Sequence, residues 1–310
     1  MRQEIAARGS IPFSRFMEIA LYHPEGGYYR RLRDPFGKHG DFFTAAQLQP
    51  VFGRLVAQSI RQLGCDAVLD LGCGRGEMQP AMEGIVYKGI DIGDQWPDRF
   101  EGVIFANELF DALPVDVARL SAGCWRQLDV GLEKDRFVWV DGEPLGNGAR
   151  EYASKLTSAS ALEEPITVEI PVRMETVMGN IARVLSRGYL LVIDYGYTNR
   201  EIVRFRTGSL MSYRRHNASD DILAEPGARD ITAHVPFDEM FSVASKAGLR
   251  KVRFERMSQW LLRVGESDQF ASALGAADER EAQALRLQLK TLLFGMGESF
   301  HVALFEADPK

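Results

Sequence analysis

Three cysteines in 310 residues are few, and Cys65, Cys73 and Cys124 form neither a CxxC pair nor a zinc spacing. That excludes a disulfide-stapled scaffold and fits a reducing compartment. The five histidines, His23, His39, His216, His234 and His301, are scattered without an HxxxH spacing, so no metal is expected. No serine lies in a GxSxG element, and no Cys–His pair is arguable from spacing. No apolar run approaches the roughly 18 residues of a membrane span. The N-terminal residues lack the n-region and apolar stretch of a secretion signal. Arg2, Arg8 and Arg15 are mixed with Glu4 and Glu18, a poor match to an acidic-poor transit peptide. A cytoplasmic protein is therefore expected. A basic excess is also missing: Lys+Arg total 37 against 43 Asp+Glu, a net charge of −6. Such a chain is a poor non-specific nucleic-acid binder, because phosphate attraction dominates that binding. It suits a cationic substrate or a basic peptide. Internal repeats, low-complexity tracts and flexible linkers are absent as well.

What is present is an ordinary globular composition, 45% hydrophobic and 26% charged. Residues 10–22 read as a helix, with Ser10 as cap, and 48–63 as another. The first 65 residues are thus expected to form a helical N-terminal extension. From residue 66 the pattern changes to apolar strands alternating with helical segments, which argues for an α/β fold with a mostly parallel sheet. Strands are expected at 67–71, 85–91, 102–106, 189–194, 250–256 and 301–305. Helices are expected at 77–83, 172–186 (closed by Gly188), 237–247, 266–274 and 278–293. The last carries one stripe of apolar residues that is either core or a subunit contact, which leaves a homodimer open. Residues 115–132 and 136–140 suggest a hairpin-like excursion. The polar stretch 197–235 reads as a long ordered insertion.

The sharpest local signal is Asp70-Leu71-Gly72-Cys73-Gly74-Arg75-Gly76, followed by Asp91 at the end of the next strand. Glycines after a first strand let backbone approach a ligand closely and open a helix N-terminus towards it. An acid ending the second strand can hold both hydroxyls of a ribose. A bare strand–helix turn would use the same glycines, and Asp70 could be a structural cap. Cys73 has no nearby base and reads as a small filler.

A second cluster, Asn107, Glu108 and Asp111, lies just past a buried strand, where ligand crevices of open α/β sheets form. A helical turn there would let Glu108 and Asp111 converge. Paired carboxylates can grip a guanidinium through forked hydrogen bonds and receive a proton. The bland alternative is a helix N-terminus decorated with acids. His234 with Asp230 could transfer protons, though a hydrogen-bonded loop histidine explains it as well. Tyr213-Arg214-Arg215-His216 reads as a solvated basic loop or a partner of acids. Tyr195 and Tyr197 could line the crevice or pack in the core.

These blocks taken together resemble the MidA family of methyltransferases. Asp-Leu-Gly-x-Gly-x-Gly is similar to the first motif of class I S-adenosylmethionine-dependent enzymes. The resemblance also covers 11–29, 40–44, 50–53, 106–114, 190–197, 208–216 and 230–235, most of the chain. It implies a class I, Rossmann-like methyltransferase domain over 66–310, with insertions near 115–165 and 197–235 that form a substrate or lid region. It implies S-adenosyl-L-methionine as cofactor. Asp70, Gly72, Gly74, Gly76 and Asp91 would hold it, with Asp41 and Thr44 in a lid. Asn107, Glu108 and Asp111 become the expected active-site floor. The family includes a mitochondrial assembly factor that dimethylates an arginine of a respiratory complex I subunit. The resemblance therefore implies an arginine side chain of a protein as substrate, a complex I subunit being one candidate. The chain departs from the family in having Gln47 for a carboxylate, Cys73 for proline, and Pro236 after His234-Val235. Only 31 positions separate Gly76 from Asn107, leaving little room for a third strand and its helices. That shortening keeps open an alternative, a catalytically silent binding module that retained the fold.

Overall fold

The apolar run near residue 68 forms strand β1 (Ala67–Leu71) in the computed structural model, which describes residues 1–30, 49–158, 163–214 and 217–307. Five further strands lie in the same sheet: β2 (Val86–Ile90), β3 (Phe100–Asn107), β4 (Leu185–Tyr197), β5 (Leu249–Arg256) and β6 (Phe300–Ala307). They lie in the order β5-β6-β4-β3-β1-β2. β1 pairs in parallel with β2 and β3, and β3 in parallel with β4, whereas β6 and β5 add antiparallel edges. The chain leaves β1 for one side and returns to its other side, so strand order reverses at β1. That reversal opens a crevice beyond the carboxyl ends of β1 and β3.

Burial explains why these strands lack alternation. Val103 to Ala106 and Leu190 to Ile193 are at most 1% exposed, because helices cover both faces of a parallel sheet. The helix Val51–Gln62 turns Phe52, Leu55, Val56 and Ile60 inward, and Met257–Glu266 contributes Met257, Trp260, Leu261 and Val264. Both join one core cluster with Val68, Phe105, Leu191 and Ile193. Burying each such side chain contributes about 1.5–3 kcal/mol.

Contacts within the chain divide it into two compact units, neither contiguous in sequence. The second unit comprises the described parts of Phe43–Phe110, Thr176–Gly196 and Phe241–Lys310, and holds the main sheet. The first comprises the described parts of Met1–Phe42, Asp111–Glu175 and Tyr197–Met240. The boundary expected at residue 65 falls inside the second unit, since Val51–Gln62 belongs with the sheet. In the first unit, Asp116–Ser121, Cys124–Glu133, Arg136–Pro144 and Ile166–Ile170 make an antiparallel sheet, with Ile11–Pro12 at one edge. The helix Phe13–Tyr22 supplies Phe13, Phe16, Met17 and Leu21 to that unit's core. The excursion expected over 115–140 is thus a meander of three long strands. The insertion over 197–235 carries three short ones, Met211–Arg214, Asn217–Ser219 and Asp230–Thr232.

Several local expectations are corrected. Ser10 does not cap a helix: its hydroxyl donates to Asp129 at 3.0 Å, and the helix starts after Pro12. The helix expected at 77–83 is a single 3-10 turn, Gln79–Ala81, stopped on either side by Gly76 and Gly84, both at positive φ. The helix Met257–Glu266, which begins directly after β5, was not expected, and of the helix expected at 266–274 only Ala271–Leu274 forms separately. Gly188 does not close a helix but lies inside β4, directly opposite Gly102 of β3.

Candidate functional site

β1 ends at Leu71, and Gly72, Gly74 and Gly76 follow with φ of +70°, +54° and +77°. Three left-handed positions in five residues explain the glycines, since other L-residues rarely adopt that region. The Gly72 N–H donates to the Ile90 carbonyl at 2.9 Å, tying the turn to the end of β2. A Cβ on Gly72 would sit 3.1 Å from the Leu109 side chain, so the turn lies against the segment leaving β3. The result is a backbone cradle at the reversal point of the sheet. No α-helix opens from it. Its backbone donors come from the turn itself and not from a helix dipole.

Asp70 lies beneath this cradle, 3% exposed. The Tyr87 hydroxyl of β2 donates to its Oδ2 at 2.7 Å. Burial pushes the Asp70 carboxyl up to about 7; the tyrosine hydrogen bond opposes this, and the charges of Glu77 and Asp91 add to it. Tyr87 is raised too, by burial first and then by Asp70. The Cys73 thiol is pushed up to about 11, by burial first and then by Asp70, which keeps it unreactive. Asp91 ends β2 as expected. Its Oδ1 accepts from the Ile92 N–H at 2.6 Å, and its own N–H donates to Asp94 at 2.8 Å, forming a small acidic turn.

The raised Asp70 carboxyl has a stability consequence with a definite sign. The folded protein binds this proton more tightly than an unfolded chain, whose carboxyl titrates near 3.8. The protonated Asp70 therefore stabilises the fold at low pH, and that contribution is lost as pH rises from about 4 through about 7. Asp70→Asn, which can still accept from Tyr87, removes the charge. The variant is expected to melt above the parent at pH 8, with the gap closing towards pH 5. A gap independent of pH would exclude Asp70 as its source.

At the end of β3, Asn107 and Glu108 form the second part of the site. The Asn107 Nδ2 donates to Glu108 Oε1 at 3.0 Å. Asn107 Oδ1 is buried and has no hydrogen-bond partner among the described residues. Glu108 is held at φ +50°, rare for a non-glycine residue, and its N–H donates to the Ile193 carbonyl at 2.9 Å. The expected helical turn is absent, so nothing folds Glu108 and Asp111 onto one helix face, and the reading of an acid-decorated helix N-terminus falls with it. Residues that sequence reasoning passed over hold this knuckle. Asp194, 0% exposed, accepts from the Phe110 N–H through Oδ2 and from the Tyr195 N–H through Oδ1, each at 2.9 Å. Its signal was the aspartate ending an apolar strand, in line with Asn107.

Asp111 is the first residue of its segment in the first unit and is 4% exposed. There it joins a buried acidic and phenolic group. The Tyr29 hydroxyl donates to Asp230 Oδ1 at 2.9 Å, and the Ala233 N–H donates to the Asp111 carbonyl at 2.9 Å. Tyr29 is raised well above the ordinary tyrosine range, by burial first and then by Asp230, Tyr22 and Asp111. Tyr213 is raised by burial and by the same two aspartates. The His234 imidazole is pushed down to about 4 by burial, and its backbone N–H donates to the Ser209 hydroxyl at 3.0 Å. Arg214 pairs with Glu225 at 2.6 Å, as expected of a basic loop. Asp41, Thr44, Gln47, Arg215 and His216 lie outside the described residues. A cavity of about 200 Å³ under Leu63 and Trp260 contains none of these groups. Among the described residues no cluster could hold a metal ion, and no helix is long and apolar enough to cross a membrane.

Comparison with known proteins gives this geometry its setting. A family model described as "Putative S-adenosyl-L-methionine-dependent methyltransferase" matches residues 85–255, more than half of the chain. The protein arginine methyltransferase NDUFAF7 homolog of Drosophila melanogaster is 26% identical over 80% of this chain and 70% of its own length. The Homo sapiens protein of that name is 24% identical over 78% and 67%. A crystal structure from Burkholderia thailandensis, bound to S-adenosyl-homocysteine, is 29% identical with a TM-score of 0.88, covering 98% of this chain and 90% of that one. These relatives bear out the class I methyltransferase fold, the MidA resemblance and the cofactor. They overturn the cytoplasmic placement expected from composition, because the curated relatives are named as mitochondrial proteins. The glycine cradle, three left-handed positions without side chains at the reversal point of the sheet, fits S-adenosyl-L-methionine as the chain's cofactor. The chain belongs to this family of S-adenosyl-L-methionine-dependent methyltransferases.

Proposed function

We propose that the chain methylates an arginine side chain of a protein substrate, with Glu108 and Asn107 receiving the guanidinium. The observation that supports this most is the left-handed Glu108, tied to Asn107 and next to Leu109, which packs on the glycine turn. Backbone strain of this kind persists where the surrounding structure enforces it. The names of the NDUFAF7 relatives support the arginine reading.

In this reading Gly72, Gly74 and Gly76 let backbone approach the cofactor. Asp70 supplies negative charge beneath it, and Asp91 receives the ribose hydroxyls. S-adenosyl-L-methionine supplies an electrophilic methyl group on a sulfonium. Everything else is the protein's task. A guanidinium is protonated at neutral pH, and its lone pair is delocalised. The Glu108 carboxylate accepts from one edge of it and draws positive charge away from the attacking nitrogen. Asn107 holds Glu108 through Nδ2 and offers its buried Oδ1 to a second N–H. Orientation within about 3–3.5 Å of the methyl group then carries much of the acceleration. The proton that the methylated nitrogen loses passes to Glu108 or to water. Asp111, in the first unit, has no role in this scheme.

The direct test is incubation with methyl-labelled S-adenosylmethionine and total protein from cells lacking this chain, followed by mass spectrometry of labelled residues. Label on arginine supports the reading. Label only on another residue type, or none at all, removes it. A second expectation concerns the cradle. Gly74→Ala puts a Cβ 3.3 Å from the Glu77 carboxylate at φ +54°. The added methyl group stands on the turn where backbone must approach the ligand, and S-adenosylhomocysteine binding should weaken by roughly tenfold in calorimetry. Gly64→Ala, also at positive φ but with nothing within 4 Å, is the control that should bind normally.

A further inference from the structure

Glu108 does not hold its left-handed conformation alone; hydrogen bonds to β4 on either side of its side chain hold the segment. Asn107 stands opposite Ile193 in the parallel β3–β4 pairing. One residue later the ladder ends, yet the Glu108 N–H still reaches the Ile193 carbonyl. Two residues further the Phe110 N–H reaches back to the Asp194 side chain at 2.9 Å. A side-chain carboxyl thus extends the pairing beyond Asn107, where β3 has ended, its other oxygen taking the Tyr195 N–H. Asp194 is fully buried, and each of its side-chain oxygens accepts from a backbone N–H. Residues 107 to 110 are therefore clipped to β4 at both ends, with Glu108 between the clips.

We propose that Asp194 is the positioning residue of the methyl-transfer site: it fixes the 107–110 knuckle, and through it the direction of the Glu108 carboxylate. The proposal rests on the reading of Glu108 given above. It assigns Asp194 no contact with the cofactor or the guanidinium. Its effect on turnover passes entirely through the backbone of residues 108–110. The side chain also explains why a glutamate tolerates this φ. The hydrogen bonds on both sides leave residue 108 no other path between β3 and Phe110.

The test is a double-mutant cycle on methyl transfer, read as label incorporated from S-adenosylmethionine into total protein of cells lacking this chain. Asp194→Asn turns one of the two N–H acceptors into a donor. Asp194→Ser shortens the side chain and releases the Phe110 N–H without opposing it, and serves if the asparagine variant does not fold. Either variant should lower the rate on the order of tenfold or more in the parent. In a Glu108→Gln background either should have almost no further effect, because residues that act as a unit are non-additive. Calorimetric affinity for S-adenosylhomocysteine should stay within about a factor of three (about 0.7 kcal/mol) of the parent, a result that general unfolding would not give. Hydrogen exchange at the Phe110 amide should accelerate. Additive losses in the cycle, an unchanged rate, or a collapse of cofactor affinity in both variants would overturn the positioning role. A Glu108→Gln protein with full activity fails differently: it removes the reading of Glu108 itself.

Discussion

Glu108→Gln is expected to lower methyl transfer by about 10²–10⁴-fold, the usual range for a positioned acid–base group. The substitution keeps the size of the side chain and leaves an Oε for the Asn107 Nδ2, which donates to Glu108 at 3.0 Å. What it removes is the charge that localises the guanidinium and the site that takes its proton. The loss should fall on kcat more than on KM, because the charge matters most as the nitrogen becomes nucleophilic. Affinity for S-adenosylhomocysteine should be nearly intact, since the cradle at Gly72–Gly76 is untouched. Melting should also change little, because Glu108 is only partly buried and its backbone hydrogen bond to Ile193 does not involve the side chain. Full activity in single-turnover measurements would take Glu108 out of the chemistry.

Gly188→Ala carries the largest expected effect on stability. Gly188 has φ +118°, and a Cβ there would lie 2.0 Å from the Gly102 carbonyl oxygen and 2.9 Å from its carbon. Gly102 is no easier to fill, since its own Cβ would meet the Ala67 carbonyl oxygen at 2.5 Å. The two glycines thus let β4, β3 and β1 approach at the level where these central strands enter the sheet. Backbone cannot yield as a flexible side chain does. Overpacking costs about 1–3 kcal/mol and the left-handed conformation about 1–2 more, so roughly 2–5 kcal/mol is expected. Gly84→Ala separates the two costs. It sits at φ +72° with nothing within 4 Å and should lose only the conformational part. Equal losses in the two variants, measured by denaturant titration, would show that the close approach is relieved cheaply.

That pair also marks the limit of what the sequence could disclose. Gly188 follows a helical pattern and precedes an apolar strand, so local chemistry reads it as a helix terminator. Its actual reason is Gly102, 86 positions earlier, which only strand pairing brings near. The cradle was legible for the opposite reason. Gly72, Gly74 and Gly76 answer a local demand, a turn after a strand, and Asp70 and Asp91 lie at fixed offsets from it. The strands β1, β3, β4 and β6 were legible from the apolar runs that burial on both faces of the sheet requires. The helix expected at 77–83 was not formed, because Pro80 and Gly84 limit it to one 3-10 turn. Asn107 and Glu108 are readable as candidates from their place after an apolar strand, but their geometry is not, since a helical turn and a left-handed knuckle share the same letters. Asp194 was seen only as the neighbour of two tyrosines. Its role depends on the Phe110 amide, 84 positions away. Asp111 was grouped with Glu108 by sequence proximity, whereas packing assigns it to Tyr29, Tyr213 and Asp230.

The sheet ends at β2, whose outer edge pairs with no strand among the described residues. A row of unpaired amides and carbonyls of this kind is a template on which other copies of a chain can add strands. β2 is only five residues long, and Val86 at its start is 72% exposed. Lys88 stands at its centre and Gly89 follows, a charge and a weak strand former where a recruiting edge would need apolar, β-branched residues. β2 is thus the last strand of its sheet among the described residues, with Lys88 as the charge on its edge. Salt screens such a charge, so strand-mediated association in concentrated solutions of this protein should rise with ionic strength.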